Sequence, residues 1–121
     1  MRVKVSKLSG QALDWAVAES VQCDEIQIGE HGICCIYEMA DGSGCWTNIY
    51  SPSTDWSQGG PLIERFRVTV SPYWPSGMFC ASSAAADSNN YVVGENYLVA
   101  ACRAIVSAKL GDEVEVPEAL L

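Results

Sequence analysis

"NYLVAACRAIVSAKLG", residues 96–111, is the strongest helix signal in the chain, and the other elements can be placed outward from it. Asn96 is a favoured N-cap residue, Lys109 suits the last turn of a helix, and Gly111 is a favoured stop. Between them, apolar side chains recur at helical spacing and predict a stripe that packs on a sheet. The stripe consists of Leu98, Ala101, Cys102, Ile105 and Val106.

A second helix is predicted near residues 10–20, in the segment "LSGQALDWAVAES". Ser9 has the N-cap position, and Leu8 is placed to form a hydrophobic staple with Leu13. Apolar residues again follow the helical period, so this helix is expected to bury one face.

The third predicted helix runs from about residue 54 to 66 and is expected to be capped and broken. Asp55 and Gln58 have the spacing of a capping box. Gly59 and Gly60 weaken a helix, whereas Pro61 suits the first turn of a fresh one. The competing N-caps are Ser53 and Thr54.

Period-two alternation predicts strands between these helices. The predicted strands lie at residues 3–5, 26–28, 33–37, 45–49, 67–72 and 78–83, with turns such as "GEHG" and "ADGSG" and a loop at "DSNN". The fold class that follows is α+β: a single-domain sandwich of antiparallel strands with about three helices, near 10–20, 54–66 and 96–110. The 121 residues fit one domain, 1–121.

Charge and hydropathy exclude several function classes. Seven Lys and Arg against fifteen Asp and Glu give a formal net charge of −8, which repels phosphate backbones, so no nucleic-acid partner is expected. No apolar run approaches the roughly 20 residues of a membrane span, so no membrane partner is expected. The N-terminal segment lacks the apolar region of a signal peptide, and we therefore expect a cytoplasmic protein.

Six cysteines allow two interpretations, free thiols or a metal site. Zinc would have to be held by the set Cys23, His31, Cys34, Cys35 and Cys45. That set contains no C-x-x-C pair, and adjacent cysteines on a strand point to opposite faces. The sequence therefore favours six free thiols, without metal or other cofactor.

Three blocks resemble the NinX family of small proteins from lambdoid bacteriophages and their prophages. They are "LSGQALDWAVA", "YSPSTDWSQGGPLIER" and "AACRAIVSAKLGDEVEVPEAL", and together they cover about two-fifths of the chain. More distantly, the order of elements is similar to that of the phage α–β–α sandwich domains. The resemblance implies an accessory phage protein that works inside the infected bacterium and is dispensable for building the virion. It supplies no catalytic residues, because the family has no established activity.

The candidate binding site is the block at residues 50–61, which concentrates hydroxyls, an acid and aromatic rings beside a helix start. An exposed helix N-terminus offers free N–H groups to an anion, and aromatic rings offer walls. The same cluster can be explained as a helix cap alone, with Trp56 filling the layer between helix and sheet. The candidate ligand-binding residues are Tyr50, Ser51, Ser53, Thr54, Asp55, Trp56, Gly59, Gly60 and Trp74.

No reaction class can be assembled from the sequence, so the protein is not expected to be an enzyme. The only histidine, His31, falls at a predicted turn, and six cysteines give it no preferred partner. Two functions remain: a non-catalytic protein that sequesters a host factor or a small, anionic, nucleotide-like signal of host defence, or an interaction accessory without a small-molecule pocket. A homo-oligomer is compatible with both, and a small enzyme is the weaker third alternative.

Overall fold

The computed structural model describes residues 1–73, 76–84 and 91–121. Its three α-helices are α1 (Gly10–Ser20), α2 (Trp56–Arg65) and α3 (Tyr97–Leu110). Its strands are β1 (Arg2–Lys4), β2 (Asp24–Ile28), β3 (Ile33–Glu38), β4 (Gly44–Thr47), β5 (Val68–Tyr73), β6 (Met78–Ser83), β7 (Val92–Gly94) and β8 (Glu113–Glu115). Short 3-10 helices occur at Val5–Lys7 and Glu118–Leu120.

The described strands form three small antiparallel sheets, with the orders β1–β8, β2–β3–β4 and β5–β6–β7. In the first, Val3 lies opposite Val114, so the two ends of the chain pair with each other. In the second, Asp24 lies opposite Ile36, and the register shifts between Asp24 and Gln27. The predicted α+β class, with antiparallel strands and three helices, is confirmed.

Helix α3 lies at the centre of the core. All nine residues from 98 to 106 are buried, including the whole predicted stripe, and α3 packs against β5, β6, β7, α1 and α2. The Asn96 side chain accepts a hydrogen bond from the Val99 N–H at 2.9 Å, and Gly111 ends the helix with a φ of 93°. Arg103 is buried in the same helix because its guanidinium donates to the carbonyls of Leu8 and Val93, at 2.9 and 2.8 Å.

Helix α2 is continuous, so the predicted break at Gly59–Pro61 is wrong. Pro61 has no N–H to donate within the helix, yet the chain keeps helical geometry on both sides of it. Gly59 is buried before the proline and Leu62 after it, so both halves are held against the same core surface. Tertiary packing therefore overrides the local preference of the sequence.

Two smaller details differ from what the sequence predicts. Ser9 occupies the N-cap position of α1 but makes no side-chain capping bond. The sequence-based prediction did not include β7 and β8, which have only three residues each. The predicted "DSNN" loop, residues 87–90, lies outside the described residues. No helix in the described part of the chain is long and apolar enough to cross a membrane.

Candidate functional site

The structure keeps the candidate block together but turns its side chains in different directions. Tyr50 and Ser53 are buried, with 2% of each residue exposed, whereas Thr54 and Trp56 face solvent. Ser51, Asp55 and Gly60 are partly exposed, and Gly59 is buried. Trp74 lies outside the described residues.

Asp55 caps α2, as one of the two interpretations of the block expects. Its Oδ1 accepts from the Ser57 N–H at 2.9 Å and from the Ser57 hydroxyl at 2.6 Å. The N–H groups of Gln58 and Gly59 donate to the Asp55 carbonyl, at 3.1 and 2.8 Å. These donors at the helix start are therefore engaged within the chain, and the side chain that an anion would have to displace is itself an anion.

Gln58 does not close the predicted capping box. Its Oε1 accepts from the Ser51 N–H at 2.6 Å, and its Nε2 donates to the Ile49 carbonyl at 3.3 Å. The side chain thus links the first turn of α2 to the chain that leaves β4. This fixes the segment at residues 49–51 against the helix.

Ser53 contributes to the core. Its N–H donates to Oδ1 of Asp14 at 2.9 Å, and Asp14, on α1, is itself buried. Burial raises the pKa of the Asp14 carboxyl, and hydrogen bonding from Ser53 partly offsets the rise. Gly59 also faces inward: a Cβ built there would overlap the Pro52 carbonyl oxygen and lie 2.9 Å from Leu98 Cδ2. The lack of a side chain at Gly59 therefore allows α2 to approach another segment of the protein closely.

A cavity of about 630 Å³ lies on the other side of the block. It is bounded by the end of α1, by β3, by the turn that follows β3 and by α2. Its volume is within the roughly 300–1,000 Å³ of small-molecule sites. Of the sequence-predicted site residues that the structure describes, only Tyr50 lines it; the residues used below are Cys23, Asp24, Tyr37, Glu38, Gln58 and Arg65.

Two thiols and a phenol form a hydrogen-bonded group at one wall of the cavity. Cys23 lines the wall, and its thiol is hydrogen-bonded to Cys35 and to Tyr50. The bond with Cys35 is the main cause of a lowered pKa at Cys23 and of a raised pKa at Cys35. Burial raises the pKa of Tyr50. We call these three residues the thiol cluster.

Tyr37 extends this wall. Its ring centroid lies 5.5 Å from that of Tyr50, and a hydrogen bond with Cys45 raises the pKa of its phenol, while one with Gln58 acts in the opposite direction. The cavity therefore has a side formed by aromatic rings with polar tips, which suits a ring-shaped ligand that carries hydrogen-bonding groups.

The rim of the cavity is charged. Asp24 and Glu38 contribute carboxylates, and Arg65 contributes a guanidinium whose Nη1 lies 3.4 Å from Glu38 Oε2. Both side chains of this ion pair are about half exposed, at 46% and 54%. Exposed pairs of this kind are worth about 0–1 kcal/mol, so a ligand can replace Glu38 as the partner of Arg65 at little cost.

Trp56 does not fill an internal layer. It is 57% exposed and lies on Tyr97, with ring centroids 5.1 Å apart, and Tyr97 in turn contacts Phe79 at 6.2 Å. The indole is a surface feature that does not line the cavity described above.

All six cysteines are free thiols. Within residues 1–73, 76–84 and 91–121, no three His, Cys, Asp or Glu side chains are grouped so as to hold a metal ion. Cys34 and Cys35 do face opposite ways, as adjacent strand residues should: Cys35 is buried, whereas the Cys34 thiol donates to the Asn48 carbonyl at 3.6 Å.

Sequence reasoning missed Cys23, Tyr37 and Arg65, which come from three separate segments. A signal was present in β3, where alternation puts Cys35 and Tyr37 on one face. Their approach to Arg65 depends on how α2 packs, which no local pattern in the sequence encodes.

The family profile described as "Bacteriophage P22, NinX" matches residues 4–109. The comparison with curated proteins found no match.

Proposed function

The chain belongs to the bacteriophage P22 NinX family and is therefore a phage accessory protein; from this premise we propose that it binds and sequesters a small polar ligand without converting it. The observation that carries the proposal is the cavity of about 630 Å³ beside the block at residues 50–61. Hydrogen-bonding groups from α2, β3 and the end of α1 converge on it, as in small-molecule sites generally.

The chemistry of the cavity favours a ring with an anionic substituent, as in a nucleotide-like signal. Tyr37 and Tyr50 supply an aromatic wall, and Gln58 supplies an amide at the same wall. Arg65 supplies a positive charge whose present partner, Glu38, is weakly held. The first turn of α2 has no comparable role, because Asp55 already accepts from the N–H groups of Ser57, Gln58 and Gly59.

The proposed site contains no recognisable catalytic pair. His31 is exposed on the turn between β2 and β3 and does not line the cavity. We therefore assign the cavity to binding alone, by which the protein would remove a host signal from circulation.

A thermal-shift experiment with defined probes tests this function. The probes are nucleoside monophosphates and cyclic dinucleotides, each offered to the full chain. A probe at a hundred times its Kd adds about 2.7 kcal/mol to the free energy of unfolding and raises Tm measurably. The same probe should be recovered chemically unchanged after prolonged incubation.

Arg65 and Arg67 are matched positions for testing whether a positive charge in the cavity binds an anionic probe. Both are exposed arginines near the end of α2, but only Arg65 lines the cavity. Arg65→Gln should abolish the shift produced by an anionic probe, whereas Arg67→Gln should keep it. The proposal fails if no probe shifts Tm, if the two variants behave alike, or if a probe is turned over.

An interaction accessory without a small-molecule ligand is the second candidate, and two exposed indoles favour it. Trp46 is 54% and Trp56 57% exposed, and large aromatic side chains of this kind are common anchors in protein interfaces. The test is a purified host or phage protein that binds the wild-type chain. Its affinity should fall at least tenfold in Trp46→Ser or Trp56→Ser and stay unchanged in Arg65→Gln.

A further inference from the structure

We propose that Cys23 is an oxidation-sensitive nucleophile of the cavity, and that hydroperoxides convert it, with Cys35, to a disulfide. The proposal stands apart from the ligand-binding function, because the thiols are in place whether or not a ligand occupies the cavity. It concerns a modification site formed by the thiol cluster.

The strand register places the two thiols on one face. Asp24 lies opposite Ile36 in the β2–β3 pair, and side chains alternate along a strand. Cys23, before Asp24, and Cys35, before Ile36, therefore share the face opposite to that pair. In this antiparallel pair Cys23 comes opposite Tyr37, and Cys35 is its diagonal neighbour on the same face, within reach of a long side chain. Cys34, which precedes Cys35, points to the opposite face.

A solute in the cavity can reach the two sulfurs to different extents. Such a difference is expected when one cysteine reacts with an oxidant and a second cysteine then forms a disulfide with it. Cys23 is partly exposed and lines the cavity, so a small solute can reach it. Cys35 is 0% exposed and lies behind it. An oxidant that enters the cavity therefore meets Cys23 first, and Cys35 can react only with what forms on Cys23.

The surroundings of Cys23 favour its thiolate. Hydrogen bonds from Cys35 and Tyr50, together with the charge of Arg65, lower the pKa of Cys23 against the opposing effects of burial and of Asp24. The thiolate is the nucleophilic form of cysteine, so a larger thiolate fraction at neutral pH gives faster reaction with peroxides.

The chemistry balances without a further reactant. The Cys23 thiolate attacks the terminal oxygen of a hydroperoxide, the O–O bond breaks, and the leaving alkoxide takes up a proton to give an alcohol and a Cys23 sulfenic acid. The Cys35 sulfur then attacks the Cys23 sulfur, the S–O bond breaks, and the departing hydroxide takes the Cys35 proton as water. Two thiols and one hydroperoxide become one disulfide, one alcohol and one water.

Peptide mapping of the full chain tests the proposal. The protein is treated with a small excess of hydrogen peroxide at neutral pH, alkylated, and cut by a glutamyl endopeptidase. Cleavage after Glu19, Glu25, Glu30 and Glu38 separates Cys23, in peptide 20–25, from Cys34 and Cys35, in peptide 31–38. We expect these two peptides to appear as one linked species that has lost two hydrogens.

Cys34→Ser and Cys35→Ala are the matched variants, because the two positions are adjacent and face opposite ways. The link should persist in Cys34→Ser, where only Cys35 can supply it. In Cys35→Ala it should be lost, and dimedone should trap a sulfenic acid on Cys23. The proposal is overturned if the linked peptides are absent from both wild type and Cys34→Ser, or if another cysteine is oxidised before Cys23. Both outcomes can be observed even if the Cys35→Ala variant does not fold.

Tyr50→Phe tests the activation of Cys23. This variant keeps the buried ring and removes the hydroxyl that bonds to the thiol. Alkylation of Cys23 by iodoacetamide should slow several-fold at pH 7, and the difference should vanish well above the ordinary thiol pKa of about 8.5. An unchanged pH profile of alkylation contradicts the proposed activation.

Discussion

Asp14 places a carboxyl group inside the core, where it holds the Ser53 N–H at 2.9 Å. Burial raises its pKa above the ordinary 3.8, so the folded state holds the proton more tightly than the unfolded state does. This group therefore favours folding fully only below pH 3.8, and its contribution falls as the pH rises from 3.8 through the folded-state pKa. The sign is opposite to that of a carboxylate in a salt bridge.

The Asp14 prediction concerns the free energy of unfolding as a function of pH. Asp14→Asn keeps an acceptor for Ser53 and removes the charge, so wild type should lose stability relative to this variant as the pH rises above about 3.8. Asp14→Ala should have a free energy of unfolding about 1–3 kcal/mol lower than that of Asp14→Asn at every pH, because it leaves the Ser53 N–H unpaired. Urea titrations at a series of pH values measure the free energies of unfolding of wild type and both variants. If the difference between wild type and Asp14→Asn does not change with pH, the pKa of Asp14 is not raised by folding.

Asp55 has a different role, at a partly exposed helix start. Asn accepts a capping hydrogen bond about as well as Asp, so Asp55→Asn should change the free energy of unfolding little. Asp55→Ala removes the acceptor of the Ser57 N–H and should cost about 1 kcal/mol. Equal losses in the two variants, measured by urea unfolding, mean that the charge of Asp55 is needed for something other than capping.

At the scale of the element, the two glycines of α2 make different predictions. A Cβ at Gly60 meets only Trp56 Cε3, at 3.9 Å, but the helix-propensity gain of Gly60→Ala is offset by the restriction that Pro61 places on a preceding residue with a Cβ, so the variant should lie within about 0.5 kcal/mol of wild type. A Cβ at Gly59 overlaps the Pro52 carbonyl, so Gly59→Ala should be destabilising in spite of the same propensity gain. Thermal unfolding compares the pair directly, and stabilisation in both variants would show that α2 does not press on Pro52.

Helix α3 offers a similar comparison along one element. Ile105 is 1% exposed and Leu110 is 43% exposed. Ile105→Ala should cost roughly 2–5 kcal/mol, because it leaves a void that a packed core fills poorly. Leu110→Ala should fall within about 0.5 kcal/mol of wild type, as exposed substitutions do. Similar losses in both variants, measured by denaturant unfolding, would place the buried face of α3 elsewhere.

The elements differ in how far the sequence predicts them, and the reason is physical. Helices α1 and α3 carry long apolar periods with a stop or cap, so their bounds follow from local pattern. Helix α2 is held together at Pro61 by the burial of Gly59 and Leu62, which is a long-range effect. Strands β7 and β8 are too short to repeat a pattern, and they form because β6 and β1 offer them edges.

The candidate site divides in the same way. The capping role of Asp55 was predictable from the residues next to it in the sequence, and the structure confirms it. The cavity was not predictable, because Cys23, Tyr37 and Arg65 are far apart in sequence and meet only when α1, β3 and α2 share a core. Tyr50 belongs to both the predicted and the observed groups, since it lies within the segment that joins β4 to α2.

At the scale of the whole molecule, the three sheets depend on one buried cluster. That cluster includes Ile33 from the β2–β3–β4 sheet, Val68 and Ala81 from the β5–β6–β7 sheet, and Val114 from the sheet that joins the two ends of the chain. Residues of α3 lie in the same cluster, so no sheet has a core of its own among the described residues. That the 121 residues fold as one domain stays a prediction.

Cooperative unfolding tests that prediction. Val116→Ala removes two buried carbons near the terminal sheet and should cost about 2 kcal/mol, while Ile33→Ala, in β3, should cost roughly 2–5 kcal/mol. Both residues belong to one cluster, so unfolding should be cooperative. For each variant, the fall in the urea midpoint measured by tryptophan fluorescence should equal the fall measured by far-UV ellipticity, and the slope m should not change. Leu121→Ala, at an exposed position, is the control.

If Ile33→Ala shifts the midpoint seen by one probe and leaves that seen by the other in place, the β2–β3–β4 sheet unfolds by itself. The cavity, which needs β3 together with α1 and α2, would then open before the rest of the molecule unfolds, and ligand binding would stabilise only that first transition.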